Sequence, residues 1–296
     1  MAKDEKRIES KTSRTAEFTC MVRAASFYEK RPQYKTDDHI APILVPKFFL
    51  PVIKIGPVRT FFINRLFPKG MYEYVIARTK FVDSVFQKAL ENQFDQILIF
   101  GAGFDSRGVR FSDLNKGTKI FELDAPVTQN AKVNQLRNRG IELNSNIIFI
   151  SIDFNKESLE EKLLESGFNE NQESLFILEG LTMYLDPEAV DSTFDVINKF
   201  AGKGSEVVFD YVYSSVIREE NLYYGESEVY KGVKDRGEPW SFGIEKGEIE
   251  SFLKDRNLKL IQNLNSEDLE NEFFKDEHGN ILSKVNGTHC IAHAKK

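Results

Sequence analysis

Hydrophobic residues between Tyr72 and Gly101 follow first a helical and then a strand pattern. Apolar residues recur at intervals of three and four at Val82, Val85, Phe86, Ala89 and Leu90. The next segment, Gln96-Ile-Leu-Ile-Phe100, is a short unbroken apolar run. The first spacing is typical of one buried helix face, and the second is typical of a buried strand. The pattern predicts a helix that leads into a first strand.

The chain repeats this alternation as far as its fifth strand. Four further apolar runs each end in an acidic residue, at 119–124, 147–153, 175–179 and 206–210. Helical patterns lie between them at about 128–139, 159–166 and 187–200, the last with Asp186 as N-cap and Pro187 in its first turn. The alternation predicts an α/β fold with a doubly wound, mostly parallel, Rossmann-like sheet.

Two final strands complete a predicted sheet of seven. They lie at 258–264 and 289–294, after a helix near 247–255, and are predicted to pair antiparallel at one edge. A polar, tyrosine-rich segment at about 211–243 is predicted as an insertion after the fifth strand. Residues 76–296 would then form the core, and residues 1–75 an N-terminal helical lid.

The segment Ile40–Ile55 resembles a short membrane segment in its apolar character. It contains three prolines and two lysines, and it is shorter than the ~18–20 apolar residues that a spanning helix needs. We therefore predict short helices over an apolar pocket and no membrane span. The first residues of the chain are charged and lack the apolar core of a secretion signal.

Composition narrows the class of protein. The chain has 296 residues, with 40 Lys and Arg against 46 Asp and Glu, so its formal net charge is −6. No strongly basic domain is present to neutralise phosphates, which argues against a nucleic-acid partner. The two cysteines, Cys20 and Cys290, are too few for a disulfide framework and fit a reducing cytoplasm.

Candidate ligand-binding residues follow the predicted strands, where open α/β sheets bind their ligands. Gly101 and Gly103 would let the backbone pass close to a ligand, although such a loop is also a common structural turn. About twenty residues further on, Asp124 or Glu122 could hold a ribose. Asp124 could instead cap the next helix. Asp153 could receive an adenine amino group or serve as a turn residue.

Several motifs together resemble one known family. They are Arg78-Thr-Lys-Phe-Val-Asp83, Gly101-Ala-Gly-Phe-Asp-Ser-Arg107, Phe121-Glu-Leu-Asp-Ala-Pro126, Glu179-Gly-Leu-Thr-Met-Tyr-Leu185 and Gly237-Glu-Pro-Trp240. From about Arg14 to the C-terminus, this ordered set resembles the leucine carboxyl methyltransferases, a family that includes protein phosphatase methyltransferases and bacterial polyketide-type O-methyltransferases. The resemblance implies a class I methyltransferase that uses S-adenosyl-L-methionine and releases S-adenosyl-L-homocysteine.

The resemblance also implies roles for individual residues. Arg78 would clamp the methionine carboxylate of the cofactor, because a guanidinium fork matches a carboxylate. Glu179 would face the cofactor's amino group. The remaining implied cofactor contacts are Gly101 and Gly103 at the methionine moiety, Asp124 at the ribose, Asp153 and Phe154 at the adenine, and Arg23 as a nearby basic residue.

The chemistry of such a site depends on alignment and exclusion of water. A carboxylate acceptor is already ionised at neutral pH, whereas a hydroxyl acceptor would need a general base. Tyr184 could orient the acceptor or could be a buried structural tyrosine. None of the four histidines lies in a matched motif, and no metal site is predicted.

Aromatic residues in two segments are candidates for the acceptor's walls. The lid contributes Phe48, Phe49, Phe61, Phe62 and Phe67, and the insertion contributes Tyr211, Tyr213, Tyr223, Tyr224, Tyr230 and Trp240. Such walls suit an apolar or aromatic acceptor. The alternative is that these residues only pack the lid against the core.

Four functions are consistent with these observations. The leading one is a cytoplasmic O-methyltransferase that acts on a small or medium-sized acceptor, with a carboxylate or a hydroxyl as the methylated group. A protein methyltransferase that modifies a C-terminal carboxylate is a narrower alternative. A non-catalytic protein that binds S-adenosylmethionine is the third, and a nicotinamide dehydrogenase is the fourth. The missing third glycine argues against the dehydrogenase.

Overall fold

The computed structural model describes residues 12–152, 157–235 and 239–296. Seven strands form one sheet in the order β3-β2-β1-β4-β5-β7-β6. The strands are β1 (Gln96–Phe100), β2 (Lys119–Asp124), β3 (Ile147–Ser151), β4 (Ser174–Leu178), β5 (Glu206–Val212), β6 (Lys259–Leu264) and β7 (His289–Lys295). The predicted doubly wound sheet is confirmed.

Strand direction follows the prediction. β1 pairs in parallel with β2 and with β4, and the parallel pairing continues to β3 on one side and to β5 on the other. β7 is antiparallel to both of its neighbours, β5 and β6. The chain order reverses between β1 and β4, so the carboxyl ends of these strands flank the crevice where such sheets bind ligands.

Thirteen α-helices in the described ranges cover the sheet. They are α1 (Arg14–Phe27), α2 (Ala41–Leu44), α3 (Leu50–Lys54), α4 (Gly56–Leu66), α5 (Met71–Glu91), α6 (Arg107–Arg110), α7 (Pro126–Asn138), α8 (Leu159–Glu165), α9 (Pro187–Phe200), α10 (Ser214–Ile217), α11 (Glu226–Asp235), α12 (Ile249–Lys254) and α13 (Ser266–Phe273). Helix α5 spans the predicted boundary between the lid and the core, at residues 75 and 76.

Helix α9 shows why its sequence forms a buried helix. Val190, Phe194 and Ile197 lie on one face and are fully buried against the sheet, as their spacing predicts. Pro187 occupies the first turn, where its missing N–H is not needed. Asp186 is at the predicted N-cap position, and its side chain accepts no capping hydrogen bond.

The N-terminal segment consists of short helices, as its prolines predict. The apolar run 40–55 forms α2, a 3-10 turn at Lys47–Phe49, and α3. Pro42 and Pro51 lie in the first turns of α2 and α3, and Pro46 follows the end of α2, where proline cannot continue a helix. No helix within the described ranges is long and apolar enough to cross a bilayer.

Both cysteines are enclosed by the core. Cys20 on α1 is 1% exposed, and Cys290 on β7 is fully buried. Burial raises the pKa of the Cys20 thiol to about 12 and that of the Cys290 thiol to about 11. Both thiols therefore stay protonated at neutral pH.

Candidate functional site

The glycine turn after β1 folds back onto the end of β2. Gly101 and Gly103 have φ angles of 57° and 48°, a left-handed conformation that favours glycine. The Ala102 N–H donates to the Leu123 carbonyl at 2.8 Å, and the Gly103 N–H donates to the Asp124 carboxylate. A Cβ on Gly103 would lie 2.8 Å from the Ala16 Cβ of helix α1. The loop is thus held between β2 and the N-terminal helix.

Asp124 ends β2 with its carboxylate beside this turn. One oxygen accepts from Gly103 N, and the other accepts from the Ala125 N–H at 2.6 Å. Burial raises the pKa of Asp124, and these two backbone donors oppose the rise. Each carboxylate oxygen has two lone pairs, so the group retains the capacity to accept hydroxyl donors. The capping alternative is not the arrangement seen, because Ala125 is the N-cap of α7.

Glu122 lies two residues earlier on the same strand, and its carboxylate forms an ion pair with a lysine. Its carboxylate is 2% exposed and pairs with the buried Lys132 ammonium of α7. Burial raises the pKa of Glu122, whereas the Lys132 charge lowers it. Of the two predicted ribose ligands, only Asp124 has its carboxylate hydrogen-bonded to the glycine turn.

Arg78 joins helix α5 to the carboxyl ends of two strands. Its Nη1 lies 2.5 Å from Asp210 Oδ2 on β5, and its Nε lies 3.1 Å from Glu179 Oε1, just after β4. Asp210 also accepts from the Tyr74 hydroxyl at 2.8 Å and from the Gly180 N–H at 2.6 Å. Burial alone would lower the pKa of Arg78, but these carboxylates raise it, so the guanidinium stays charged.

Glu179 is held between two arginines. Its Oε2 lies 2.7 Å from Nη1 of Arg107, which also pairs with Asp105 and, through Nε at 2.8 Å, with Asp83 of α5. Arg78 Nε and Arg107 Nη2 are buried and have no hydrogen-bond partner among the described residues. Ion-pair proximity without hydrogen-bond alignment leaves these donors unsatisfied.

The charged chain continues from the core to the N-terminal helix. Asp83 binds Arg110 at 2.7 Å, and the Arg110 Nε lies 3.6 Å from Asp38. Asp38 pairs with Arg23 of α1 at 2.7 Å, and Arg23 also donates to the Phe104 carbonyl at 2.7 Å. Arg23 therefore lies beside the glycine turn, with both terminal nitrogens engaged.

A cavity of about 50 Å³ opens next to Arg78 and Gly180. Its walls come from α1, α5, the segment after β4, α11 and the start of β7. They are Thr15, Phe18, Thr19, Pro68, Met71, Tyr74, Val75, Arg78, Gly180, Met183, Tyr184, Val229, Val233, Trp240 and His289. The cavity has the room of only a few water molecules.

Tyr184 is the predicted catalytic residue that lines this cavity. It ends a 3-10 turn, and its hydroxyl lies 3.2 Å from Thr15 Oγ1 on α1. Its ring meets Trp240 edge to face, with 6.4 Å between the ring centroids. The buried Trp240 indole N–H has no hydrogen-bond partner among the residues described.

A chain of hydrogen bonds fixes the tautomer of His289 in the same cavity. The Asn286 amide donates to the Lys69 carbonyl, and its Oδ1 accepts the single hydroxyl proton of Thr288. Thr288 Oγ1 must then accept from His289 Nδ1, 2.6 Å away. The other ring nitrogen, Nε2, is consequently an unprotonated acceptor. Burial and the Arg78 charge lower the pKa of His289 to about 3, so the ring is neutral.

Most of the aromatic residues predicted as acceptor walls do not line this cavity. Phe48 and Phe61 are 72% and 73% exposed, and no predicted lid phenylalanine lines the cavity. Tyr213 stacks on Tyr223 at 4.8 Å, away from the cavity lining. Of the insertion's predicted residues, only Trp240 contributes to the wall. The apolar lining comes instead from α1, α5 and α11, through Phe18, Met71, Val75, Val229 and Val233.

Three predicted features fall partly or wholly outside the described residues. They are Asp153, Phe154 and the first part of the Gly237–Trp240 motif. The sequence interpretation also missed Asp210 and His289. Asp210 carried the same signal as the other acidic strand ends, whereas His289 had no motif to identify it.

Comparisons with known proteins agree with this architecture. The family model of the leucine carboxyl methyltransferases matches residues 16–198. A Bacillus subtilis (strain 168) protein, "Putative S-adenosyl-L-methionine-dependent methyltransferase YktD", is 28% identical over 221 residues, which cover 75% of this chain and 72% of the relative. A protein from Mycobacteroides abscessus with the same class name is 36% identical over 131 residues, covering 44% of this chain and 43% of its own length.

A solved structure supports the fold. The crystal structure of a "putative methyltransferase" from Thermobifida fusca YX superimposes with a TM-score of 0.60, covering 96% of this chain and 97% of that one. The two sequences are 13% identical, so this likeness concerns the fold alone.

Proposed function

The chain belongs to the leucine carboxyl methyltransferase family and is an S-adenosylmethionine-dependent methyltransferase, and from this premise we propose that it methylates a carboxylate on a small or medium-sized apolar acceptor. The observation that carries the proposal is the cavity beside Arg78 and Gly180. It combines apolar walls with a guanidinium and adjoins the predicted cofactor residues.

The described residues fit the methionine and ribose parts of the cofactor. Gly101 and Gly103 leave the backbone of the turn without side chains, and Asp124 retains lone pairs for ribose hydroxyls. The unsatisfied donors Arg78 Nε and Arg107 Nη2 suit an amino acid carboxylate, and Glu179 suits an ammonium group. We propose these residues, with Arg23 behind the turn, as the cofactor site. Asp153 and Phe154 remain proposed adenine contacts from the sequence alone.

S-adenosylmethionine, when bound, supplies an electrophilic methyl group on a sulfonium. The chain's contribution is to align the acceptor oxygen, keep water out and balance charge. A carboxylate needs no base, which agrees with a cavity whose histidine is neutral and whose lining includes no aspartate or glutamate among the described residues. Tyr184 and the Trp240 N–H, which has no hydrogen-bond partner among the described residues, are the proposed orienting donors for the carboxylate.

One observation favours a second candidate, a hydroxyl acceptor. The unprotonated Nε2 of His289 could accept a hydrogen bond from the hydroxyl group of an alcohol or a phenol. An ionised carboxylate has no proton to donate in such a bond. With its pKa lowered to about 3, His289 would orient such a hydroxyl better than it would deprotonate it.

Calorimetric titration with S-adenosylhomocysteine tests the cofactor site. We expect saturable binding that weakens by roughly tenfold or more in Asp124→Ala, since hydrogen bonds to charged groups contribute about 1.5–3 kcal/mol. Asp113→Ala, at an exposed position, is the matched control and should bind normally. Equal affinities in all three proteins would contradict the assignment of Asp124.

Matched acceptors test the methylated group. We would incubate the enzyme and methyl-labelled S-adenosylmethionine with octanoate and phenylacetate, and in parallel with octanol and 2-phenylethanol. A carboxyl methyltransferase forms esters that mild base hydrolyses to labelled methanol, whereas ethers survive. Label in ethers only would favour the His289 alternative. Labelled polypeptide in place of labelled small molecules would favour a protein C-terminus as acceptor.

A further inference from the structure

Helices α3 and α4 and the 3-10 turn before them present a group of apolar side chains to solvent. We call this group the apolar patch. It consists of Phe48, Ile55, Val58, Phe61 and Leu66, which are between 42% and 73% exposed. Val58 and Phe61 are three residues apart on α4 and therefore share one face. Such a concentration of exposed apolar side chains marks an interaction site.

Exposed lysine and arginine side chains flank the apolar patch. Residues 40–72 contain no aspartate or glutamate, although the whole chain carries a net charge of −6. Lys47, Lys54 and Arg65 are exposed and form no ion pair with any residue in the described ranges. The neighbouring cations Arg59 and Lys69, by contrast, are paired with Glu29 and Glu228.

A second cavity adjoins the patch at Lys47. It has a volume of about 360 Å³ and lies between the end of α2 and the end of α7. Its polar lining consists of Lys47 and Arg139 with the amides of Gln135 and Asn138, and it includes no acidic residue. Two cations and two amides are donors suited to a phosphate group.

We propose that this face docks on the surface of an anionic lipid bilayer, with the apolar patch entering the boundary between headgroups and acyl chains and the Lys47–Arg139 cavity receiving a lipid phosphate. The combination of exposed phenylalanine and aliphatic side chains with flanking lysine and arginine is the composition of interfacial membrane-binding segments. This inference does not depend on the identity of the acceptor.

Charge favours a bilayer over a protein occupant. Three cations beside the apolar patch form no ion pair within the described ranges, and two of them are lysines. Lysine is depleted from protein interfaces and is attracted to anionic headgroups. A second copy of the chain would bring the same cations together across a two-fold axis, where they repel. The long lysine and arginine stems can extend along the apolar patch while their charges stay among the headgroups.

Cosedimentation of the full chain with vesicles tests the proposal. We would compare phosphatidylcholine vesicles with equimolar phosphatidylcholine and phosphatidylglycerol vesicles, at low and high salt. We expect binding to the anionic vesicles only, and loss of binding as salt rises. The double variants Phe48→Ser with Phe61→Ser, and Lys47→Glu with Arg139→Glu, should each weaken binding by roughly tenfold or more.

Matched controls separate the patch from general surface effects. Leu164→Ser, at a 48% exposed position on α8, and Lys203→Glu, at an exposed loop position, should leave vesicle binding unchanged. Circular dichroism would verify that all variants are folded. Absence of vesicle binding, or equal binding by the wild-type chain and the patch variants, would overturn the proposal. A dimer that dissociates in the phenylalanine variant would likewise overturn it and assign the patch to a second copy.

Discussion

Arg78 Nη1 lies 2.5 Å from Asp210 Oδ2, and both side chains are almost fully buried. This pair connects the longest helix of the described chain to the fifth strand at the base of the cavity. The two residues are 132 positions apart, so the contact exists only in the folded chain. The stability of the fold and the position of the proposed cofactor clamp therefore depend on the same contact.

Asp210→Asn should destabilise the protein by about 3–5 kcal/mol, because it leaves the Arg78 charge buried with a weakened partner. The free energy of unfolding in urea measures this. Asp191→Asn is the matched control, because Asp191 forms an exposed pair with Arg256 and such pairs contribute about 0–1 kcal/mol. Similar losses of unfolding free energy in both variants would show that the buried pair contributes no more to stability than the exposed pair.

Gly103→Ala should be more destabilising than Gly140→Ala. Both glycines have positive φ angles, 48° and 71°, so alanine is strained at either position. Only at Gly103 would the new Cβ approach a neighbour, Ala16 Cβ at 2.8 Å, whereas nothing lies within 4 Å at Gly140. Thermal unfolding should show an additional cost of about 1–3 kcal/mol for Gly103→Ala. Equal costs would mean that α1 yields to the added methyl group.

Asp105 should contribute to acid unfolding. Burial alone would raise its pKa, but Arg107 and other nearby cations lower it from 3.8 to about 2. A folded-state pKa below the unfolded value stabilises the protein above about pH 3.8, and this contribution is lost as the pH falls towards 2. The slope of unfolding free energy against pH in that range should be smaller in Asp105→Asn. An unchanged slope would contradict the role of Asp105.

His289 should make the free energy of unfolding depend on pH over a range that begins higher than that of Asp105. Its folded-state pKa is lowered to about 3, whereas the unfolded chain protonates this histidine near pH 6.5. Stability from the neutral ring is complete above 6.5 and declines as the pH falls towards 3, by up to about 1.4 kcal/mol per pH unit. His289→Gln should reduce that slope.

Nitrogen NMR gives an independent check on His289. Long-range ¹⁵N–¹H correlation at neutral pH should show the Nδ1-protonated tautomer that the contact with Thr288 requires. Thr288→Val removes that hydroxyl and should allow the other tautomer. A wild-type ring protonated at Nε2 would contradict the hydrogen-bond chain described above.

The sheet was predictable because its strands are apolar runs with acidic ends. β1 and β2 were predicted with the bounds that the structure shows, since short fully buried strands have sharp limits in sequence. The antiparallel pairing of β6 with β7 was predicted as well. Two of the acidic strand ends, Glu179 and Asp210, lie in the buried group of ion pairs with Arg78 and Arg107.

The partners of those charged groups were not predictable. The pairing of Arg78 with Asp210 depends on which strands become neighbours, and the tautomer of His289 depends on a threonine proton directed to Asn286. The lid phenylalanines show a related limit. Helical spacing reveals an apolar face, but it does not reveal whether the fold covers that face, and Phe61 stayed exposed.

The burial of both native cysteines has a practical consequence. Only thiolates react readily with maleimides, and the Cys20 and Cys290 thiols are enclosed and protonated at neutral pH. The native chain should therefore behave as a cysteine-free background for site-specific labelling. A single cysteine introduced by Phe61→Cys would carry one environment-sensitive fluorophore on the outer face of α4, and its emission would report directly on what that face contacts.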